Sequence, residues 1–289
     1  MNSFKVIGIG DNVVDKYVHQ GIMYPGGNAL NFCAYATMRG VSSAYLGKFG
    51  SDEVARYIRQ VIDELGIDRS GCRSYEGENG YARVTLEDGD RVFLGSNKGG
   101  IAKEQPWNFT ELDLEYMKQF AVIHTSLNSY IEQDLPVLRK CGVPVSYDFS
   151  VRWNDEYLER VCPYIDIAFL SCSHLTGEER EREMRKAQSL GAQIVVGTVG
   201  EDGSYALHGN HWLYQSAVTT DAVDTMGAGD SYITAFLVEL IKNSPAHRID
   251  LSQEAALLEQ IQASMSKGAE FAAEICRVNG AFGFGTPLV

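Results

Sequence analysis

The chain has 289 residues, 45% of them hydrophobic and 22% charged, a balance that supports a sizeable packed core and excludes a disordered chain. At roughly 150 residues per domain, the length admits two domains or one large α/β domain. With 25 basic against 38 acidic residues the net charge is −13, which disfavours a nucleic acid or an anionic membrane as partner, and no local basic patch offsets it.

The first residues, Met1-Asn2-Ser3-Phe4-Lys5-Val6-Ile7-Gly8, lack the charged segment, apolar run and cleavage site of a signal peptide. No stretch reaches the roughly 18 apolar residues of a membrane-spanning helix. Cysteines 33, 72, 141, 162, 172 and 276 form no CxxC pair, and only Cys172 has a histidine, His174, close by in sequence. Free thiols in a cytoplasmic chain are therefore expected, without a zinc site.

In chain order, Phe4 to Ile9 is a compact apolar run opening into Gly10-Asp11-Asn12, the pattern of a buried strand that ends in a polar loop. Val13 to His19 is expected to continue as a strand. Pro25-Gly26-Gly27-Asn28 then breaks the chain before a helix over Ala29 to Arg39, with Asn28 as its cap. A strand over Ala44 to Phe49 leads to Ser51 or Asp52, either of which could cap a helix over Glu53 to Leu65. Val54, Ile58, Val61, Ile62 and Leu65 form one apolar stripe along it.

Between Cys72 and Leu94 the period changes to two. Tyr81, Arg83 and Thr85 alternate with Ala82, Val84 and Leu86, and Glu87-Asp88-Gly89-Asp90 turns into Arg91-Val92-Phe93-Leu94. This hairpin reads as an appendage, a small β-lid formed by about 13–19 and 74–98. Beyond it, strands over Ala121 to Thr125, Pro144 to Asp148, Ile165 to Leu170 and Gln193 to Thr198 alternate with helices over Leu127 to Lys140, Asp155 to Val161 and Glu178 to Leu190. Helices over Gly229 to Ile241 and Ser252 to Cys276 follow. The alternation predicts a single α/β domain over 1–289, with a mostly parallel sheet covered on both faces and ligands at the carboxyl ends of its strands.

Chemistry concentrates in Asp224-Thr225-Met226-Gly227-Ala228-Gly229-Asp230-Ser231, which runs directly into a helical pattern. Two glycines at a helix start let backbone N–H groups converge on an anion, aided by the positive end of the helix. Asp230 beside such a hollow could take the proton of a hydroxyl attacking a phosphoryl group, or be an ordinary first-turn acid. Asp11 and Asp15 flank the exit of the first strand, where short carboxylates could accept the hydroxyls of a polyol or simply solvate a loop. Thr198-Val199-Gly200-Glu201-Asp202-Gly203, after a strand, is by itself a weak turn signal.

The segment Asp224 to Asp230 resembles the C-terminal signature of the ribokinase-like (pfkB) carbohydrate kinases. Gly10-Asp11-Asn12 with Asp15, and Gly26-Gly27-Asn28 with Asn31, are similar to that family's sugar-binding elements. The resemblance implies a three-layer α/β/α fold, ATP and Mg2+ as cofactors, and a monovalent cation as a further expectation. It implies that Asp230 deprotonates the acceptor hydroxyl while Gly227, Ala228 and Gly229 supply the anion hole. Asp11, Asp15, Gly26, Gly27 and Asn31 would hold the sugar, and Thr198, Gly200 and Gly203 would lie along the nucleotide.

Two departures stand out. Where the family carries Asn-x-x-Glu, Phe169 to Glu179 has no Asn at the expected place, which leaves Glu178 either near the metal or merely at a helix start. Ala55 stands where a further glycine is common.

Asp90-Arg91-Val92-Phe93 and Tyr147-Asp148-Phe149-Ser150 with Trp153, taken with the motifs above, resemble the branch of the family that phosphorylates the 6-hydroxyl of fructoselysine. That branch implies a small amino-sugar partner; by charge and position, Arg91 or Lys98, in or near the hairpin, could meet its carboxylate or a phosphate, or simply form a solvated face. Alternatives are a kinase for another fructosamine, fructose or ribose, and a non-enzymatic sugar-binding protein, which would have little reason to keep Asp230. A dinucleotide dehydrogenase is disfavoured, because Gly8-x-Gly10 lacks the third spaced glycine. The apolar alternate face of the hairpin suggests a homodimer through paired lids.

Overall fold

The computed structural model describes residues 4–87, 90–251 and 254–289. The first third carries β1 (Lys5–Gly10), β2 (Val13–Tyr17), β3 (Ile22–Gly26), α1 (Asn28–Met38), β4 (Ser42–Phe49), α2 (Glu53–Glu64), β5 (Arg73–Ser74), β6 (Gly80–Glu87) and β7 (Asp90–Ser96). Then come α3 (Ile101–Glu104), α4 (Glu111–Met117), β8 (Ile123–Ser126), α5 (Leu135–Leu138), β9 (Val145–Asp148), α6 (Asp155–Val161), β10 (Ile167–Ser171) and α7 (Gly177–Ser189). The remainder is β11 (Ile194–Thr198), β12 (Ser204–His208), β13 (His211–Gln215), α8 (Ala228–Asn243), α9 (Glu254–Ile275) and β14 (Thr286–Pro287).

The central sheet has the order β13-β12-β11-β10-β9-β8-β1-β4-β5. Its strands pair in parallel from β5 to β11, and antiparallel pairing is confined to β11–β12 and to the β12–β13 hairpin at one edge. Successive strand residues face opposite layers, as the pleat requires. Val6 packs with α1, α2, α8 and α9 on one side, whereas Ile7 and Ile9 pack with α4 to α7 on the other. Ile194 and Val196 against Val195 repeat the division on β11. Both faces are covered, so these strands are continuous apolar runs.

The expected stripe on α2 is buried at Val54, Ile58, Val61 and Ile62, each worth roughly 1.5–3 kcal/mol on leaving water. Asp52 caps this helix, accepting from Ala55 N at 2.9 Å. The six cysteines are all unpaired. Among the described residues no helix is long and apolar enough to cross a membrane.

A second sheet, β14-β3-β2-β6-β7, is separate from the central one. It contains Val13 to Tyr17 and the hairpin of β6 and β7, with β2 and β6 parallel. The turn at Asp88-Gly89 lies outside the described residues. Strand β3 runs through Pro25, where the sequence pattern predicts a break. Its outer neighbour β14 pairs only with Ile22 and Met23, so at Pro25 the missing N–H faces no outer ladder.

The helix expected over Leu127 to Lys140 is a second correction. Only Leu135–Leu138 is α-helical, followed by a 3-10 turn over Arg139–Cys141. Residues 127–134 form a loop instead, because Ser126 and Ser129 hydroxyls turn toward Asp11 and Tyr130 takes a positive φ of 52°.

Candidate active site

The site is built on the carboxyl end of β1. Asp11 is buried just beyond Gly10, and its carboxylate accepts from the backbone N–H groups of Asn28 (2.9 Å) and Ala29 (3.2 Å) at the start of α1. Asp11 therefore satisfies the helix N-terminus from outside. The cap expected of Asn28 is corrected accordingly: Gly27 takes the capping position at φ 113°, and Asn28 is the first helical residue. Burial pushes the Asp11 carboxyl above the usual carboxylate range, opposed by the N–H groups of Ala29 and Asn28.

Asn28 is thus free to use its side chain across the cavity. Its Nδ2 donates to Asp230 Oδ1 at 2.8 Å and to Asp148 Oδ2 at 2.9 Å, while its Oδ1 accepts from Asn128 Nδ2 at 2.7 Å. Asn31, one turn further along α1, donates to Asp230 Oδ2 at 2.6 Å. Both oxygens of Asp230 are therefore fixed by amides of α1. Burial is the main cause that pushes Asp230 up to about 8, and the charge of Asp148 adds to it. Asp148 itself is pushed up to about 6, chiefly by burial.

Among the described residues, Asn31 Oδ1 is buried without a hydrogen-bond partner. A Cβ on Gly26 would fall 2.8 Å from Asp15 Oδ2 and 3.9 Å from Asn31 Oδ1, so the two acceptors flank the same stretch of bare backbone. An orphaned acceptor beside a carboxylate suits a ligand that brings hydroxyl donors.

Asp230 stands in the first turn of α8. The helix ladder begins at Ser231 N, which donates to Gly227 O at 2.8 Å, so the N–H groups of Gly229 and Asp230 precede it. Gly227 has φ 77°, and a Cβ there would meet Tyr35 Oη at 2.1 Å. Tyr35, on α1, donates to Ala281 O and thereby supports the turn from beneath. A Cβ on Gly229 would meet nothing within 4 Å.

Asp11, Asp15, Gly27, Asn31 and Asp230 line one cavity of about 740 Å³. Lys98, Lys103 and Arg152 line it too, as do Asn128, Tyr130 and Phe93. Thr198, Gly200, Gly203 and Glu178 are not in its lining. Thr198 ends β11, and Gly200 and Gly203 lie in the turn that follows. This puts them on the same carboxyl edge as Gly10, four strand spacings away, or about 19 Å at ~4.8 Å per neighbour. Glu178 is exposed in the first turn of α7. Among the described residues no group of three metal-ligating side chains gathers. Arg91 belongs to β7, and its side chain lies outside the described residues.

The pattern of pfkB family carbohydrate kinases matches residues 3–276. The fructosamine kinase FrlD of Bacillus subtilis (strain 168) is 41% identical over 285 residues, covering 98% of this chain and 94% of that protein. The fructoselysine 6-kinase of Escherichia coli (strain K12) is 31% identical over 229 residues, covering 79% and 86% respectively. Among solved structures, a ribokinase of Arabidopsis thaliana complexed with ribose and ATP superposes with a TM-score of 0.75 at 22% identity, covering 96% of this chain and 93% of that one. The chain belongs to the pfkB family of carbohydrate kinases, and its fold is the ribokinase-like α/β fold.

Proposed function

We propose that this chain transfers the γ-phosphoryl group of ATP to the 6-hydroxyl of a fructosamine, with fructoselysine as the preferred acceptor. The observation that carries the reading is the charge gradient of the cavity. Buried Asp11, Asp15 and Asp230 line its interior, and the exposed Lys98, Lys103 and Arg152 line it as well. A polyol with a zwitterionic arm matches that gradient, with hydroxyls toward the acids and the carboxylate toward the cations. The likeness to fructosamine and fructoselysine kinases supports the same assignment.

In this reading Asp15 and Asn31 Oδ1 accept sugar hydroxyls, while Asp11 chiefly holds the start of α1 in place. Asp230 receives the proton of the 6-hydroxyl as its oxygen attacks phosphorus. The N–H groups of the Gly227 to Gly229 turn stabilise the charge on the transferring phosphoryl group. Thr198, Gly200 and Gly203 flank the nucleotide further along the sheet edge.

Mg2+ would neutralise the phosphates of ATP and be held mainly through them, since the described residues gather few ligands of their own. A cytoplasmic location fits six unpaired cysteines. A homodimer through paired second sheets belongs to the same reading, supported by the exposed Phe93 and Leu94 on β7. Asp230→Asn (D230N) tests the catalytic assignment: transfer should fall by roughly 10²–10⁴-fold while calorimetric sugar affinity weakens much less. Near-normal turnover would refute it.

A further inference from the structure

We propose that Tyr17 is a positioning residue that couples occupancy of the sugar subsite to the phosphate-binding turn. The inference rests on the functional reading above, in which Asp15 meets the sugar and the Gly227 to Gly229 turn meets phosphate. Asp15 and Tyr17 both belong to β2, two residues apart, so their side chains leave the same face of the strand. Asp15 lines the cavity. Tyr17 is 2% exposed, with its ring set edge-on to Tyr24 at 5.1 Å and 73°.

The Tyr17 hydroxyl donates to Asp224 Oδ2 at 2.6 Å. The same oxygen accepts from Gly280 N at 3.0 Å, and Asp224 Oδ1 accepts from Met226 N at 2.9 Å. Val223 N and Asp224 N both donate to Cys276 O, at 2.7 and 3.1 Å. Asp224 is therefore a knot that joins β2, the residue preceding Gly227, and the C-terminal segment after α9. Met226, held by this knot, lines the cavity as well. A sugar that fixes Asp15 fixes the strand two residues on. The short charge-assisted hydrogen bond then holds the loop whose next residues form the anion hollow. Prior binding of one ligand thus removes part of the ordering cost of the other, which makes the two bindings cooperative.

The test is a thermodynamic cycle by titration calorimetry on the intact chain. The affinity of a non-hydrolysable ATP analogue is measured with and without saturating sugar, using fructoselysine and fructose in separate arms. The wild type should bind the analogue at least about fivefold tighter when the sugar is present. Tyr17→Phe (Y17F) keeps the packed ring and removes only the donor. It should lower the coupling to less than about twofold while each ligand alone binds within about twofold of wild type. A purely structural role would lower the single-ligand affinities and melting temperature and leave the coupling ratio in place. Unchanged coupling in Y17F overturns the proposal, as does the absence of coupling in the wild type or of binding by either sugar. Binding of fructose without fructoselysine instead defeats the substrate assignment, and the fructose arm still decides the role of Tyr17.

Discussion

Asp230 shares one amide nitrogen, Asn28 Nδ2, with Asp148, so two buried carboxylates face each other across a single donor. Burial first, and the charge of Asp148 second, push the Asp230 carboxyl up to about 8. If Asp230 is the base, kcat/KM should rise with pH through about 8. Asp148→Asn removes the repelling charge and should move this acid limb to lower pH by about one unit, read from a pH–rate profile. An unmoved limb would separate Asp148 from the base.

The same shift affects stability. A carboxyl whose folded pKa exceeds its unfolded value of 3.8 holds its proton longer in the native state, so stability falls as pH rises from about 4 to about 8 and levels off above. D230N lacks this penalty. Its melting temperature relative to wild type should therefore climb across that window, and a gap independent of pH would contradict the burial.

Asp230, Asp15 and Asn31 were legible in the sequence because each sits in a local glycine-rich signature. The role of Asn28 was not, because its partners Asp148 and Asp230 lie 120 and 202 residues away along the chain. Asn128 and Arg152 escaped for the same reason. They line the cavity and are tied to it by side chains running from Arg152 to Asn128 to Asn28.

At the scale of the element, the start of α8 separates two glycines that look alike in sequence. Gly227 needs its positive φ and its missing Cβ, since any side chain would strike Tyr35. Gly229 has open space where its Cβ would be, on the side where phosphate would lie. Gly227→Ala should lower both melting temperature and activity. Gly229→Ala should leave the melting temperature within about 1 °C, since a surface change away from packed features is nearly neutral, and still cost roughly 10²–10³ in kcat by blocking the anion hollow. Equal thermal losses in both would refute the distinction.

The strands of the central sheet could be read from compact apolar runs, because burial on both faces removes polar alternation. The 127–134 loop could not, since its apolar residues mimic a helix and what decides its course is the distant Asp11. Strand β3 was hidden by Pro25, which is tolerated only because β14 is so short.

Across the whole molecule, parallel strands bring Gly10, Ser126, Asp148 and Thr198 to one edge of the sheet, and the second sheet adds Asp15 to the same cavity. Sugar and nucleotide would then approach from the two ends of that edge, with Asp230 where the acceptor meets phosphorus. In the proposed reading, the cations lining the cavity would make the acceptor's arm part of recognition. A site built to pair with a carboxylate leaves Lys98, Lys103 and Arg152 unmatched when the sugar arrives alone. The most direct measurement is kcat/KM for ATP-dependent phosphorylation of fructoselysine against free fructose and ribose under the same conditions. Fructoselysine should be preferred by at least about 10²-fold. Equal or greater efficiency with fructose or ribose would contradict it.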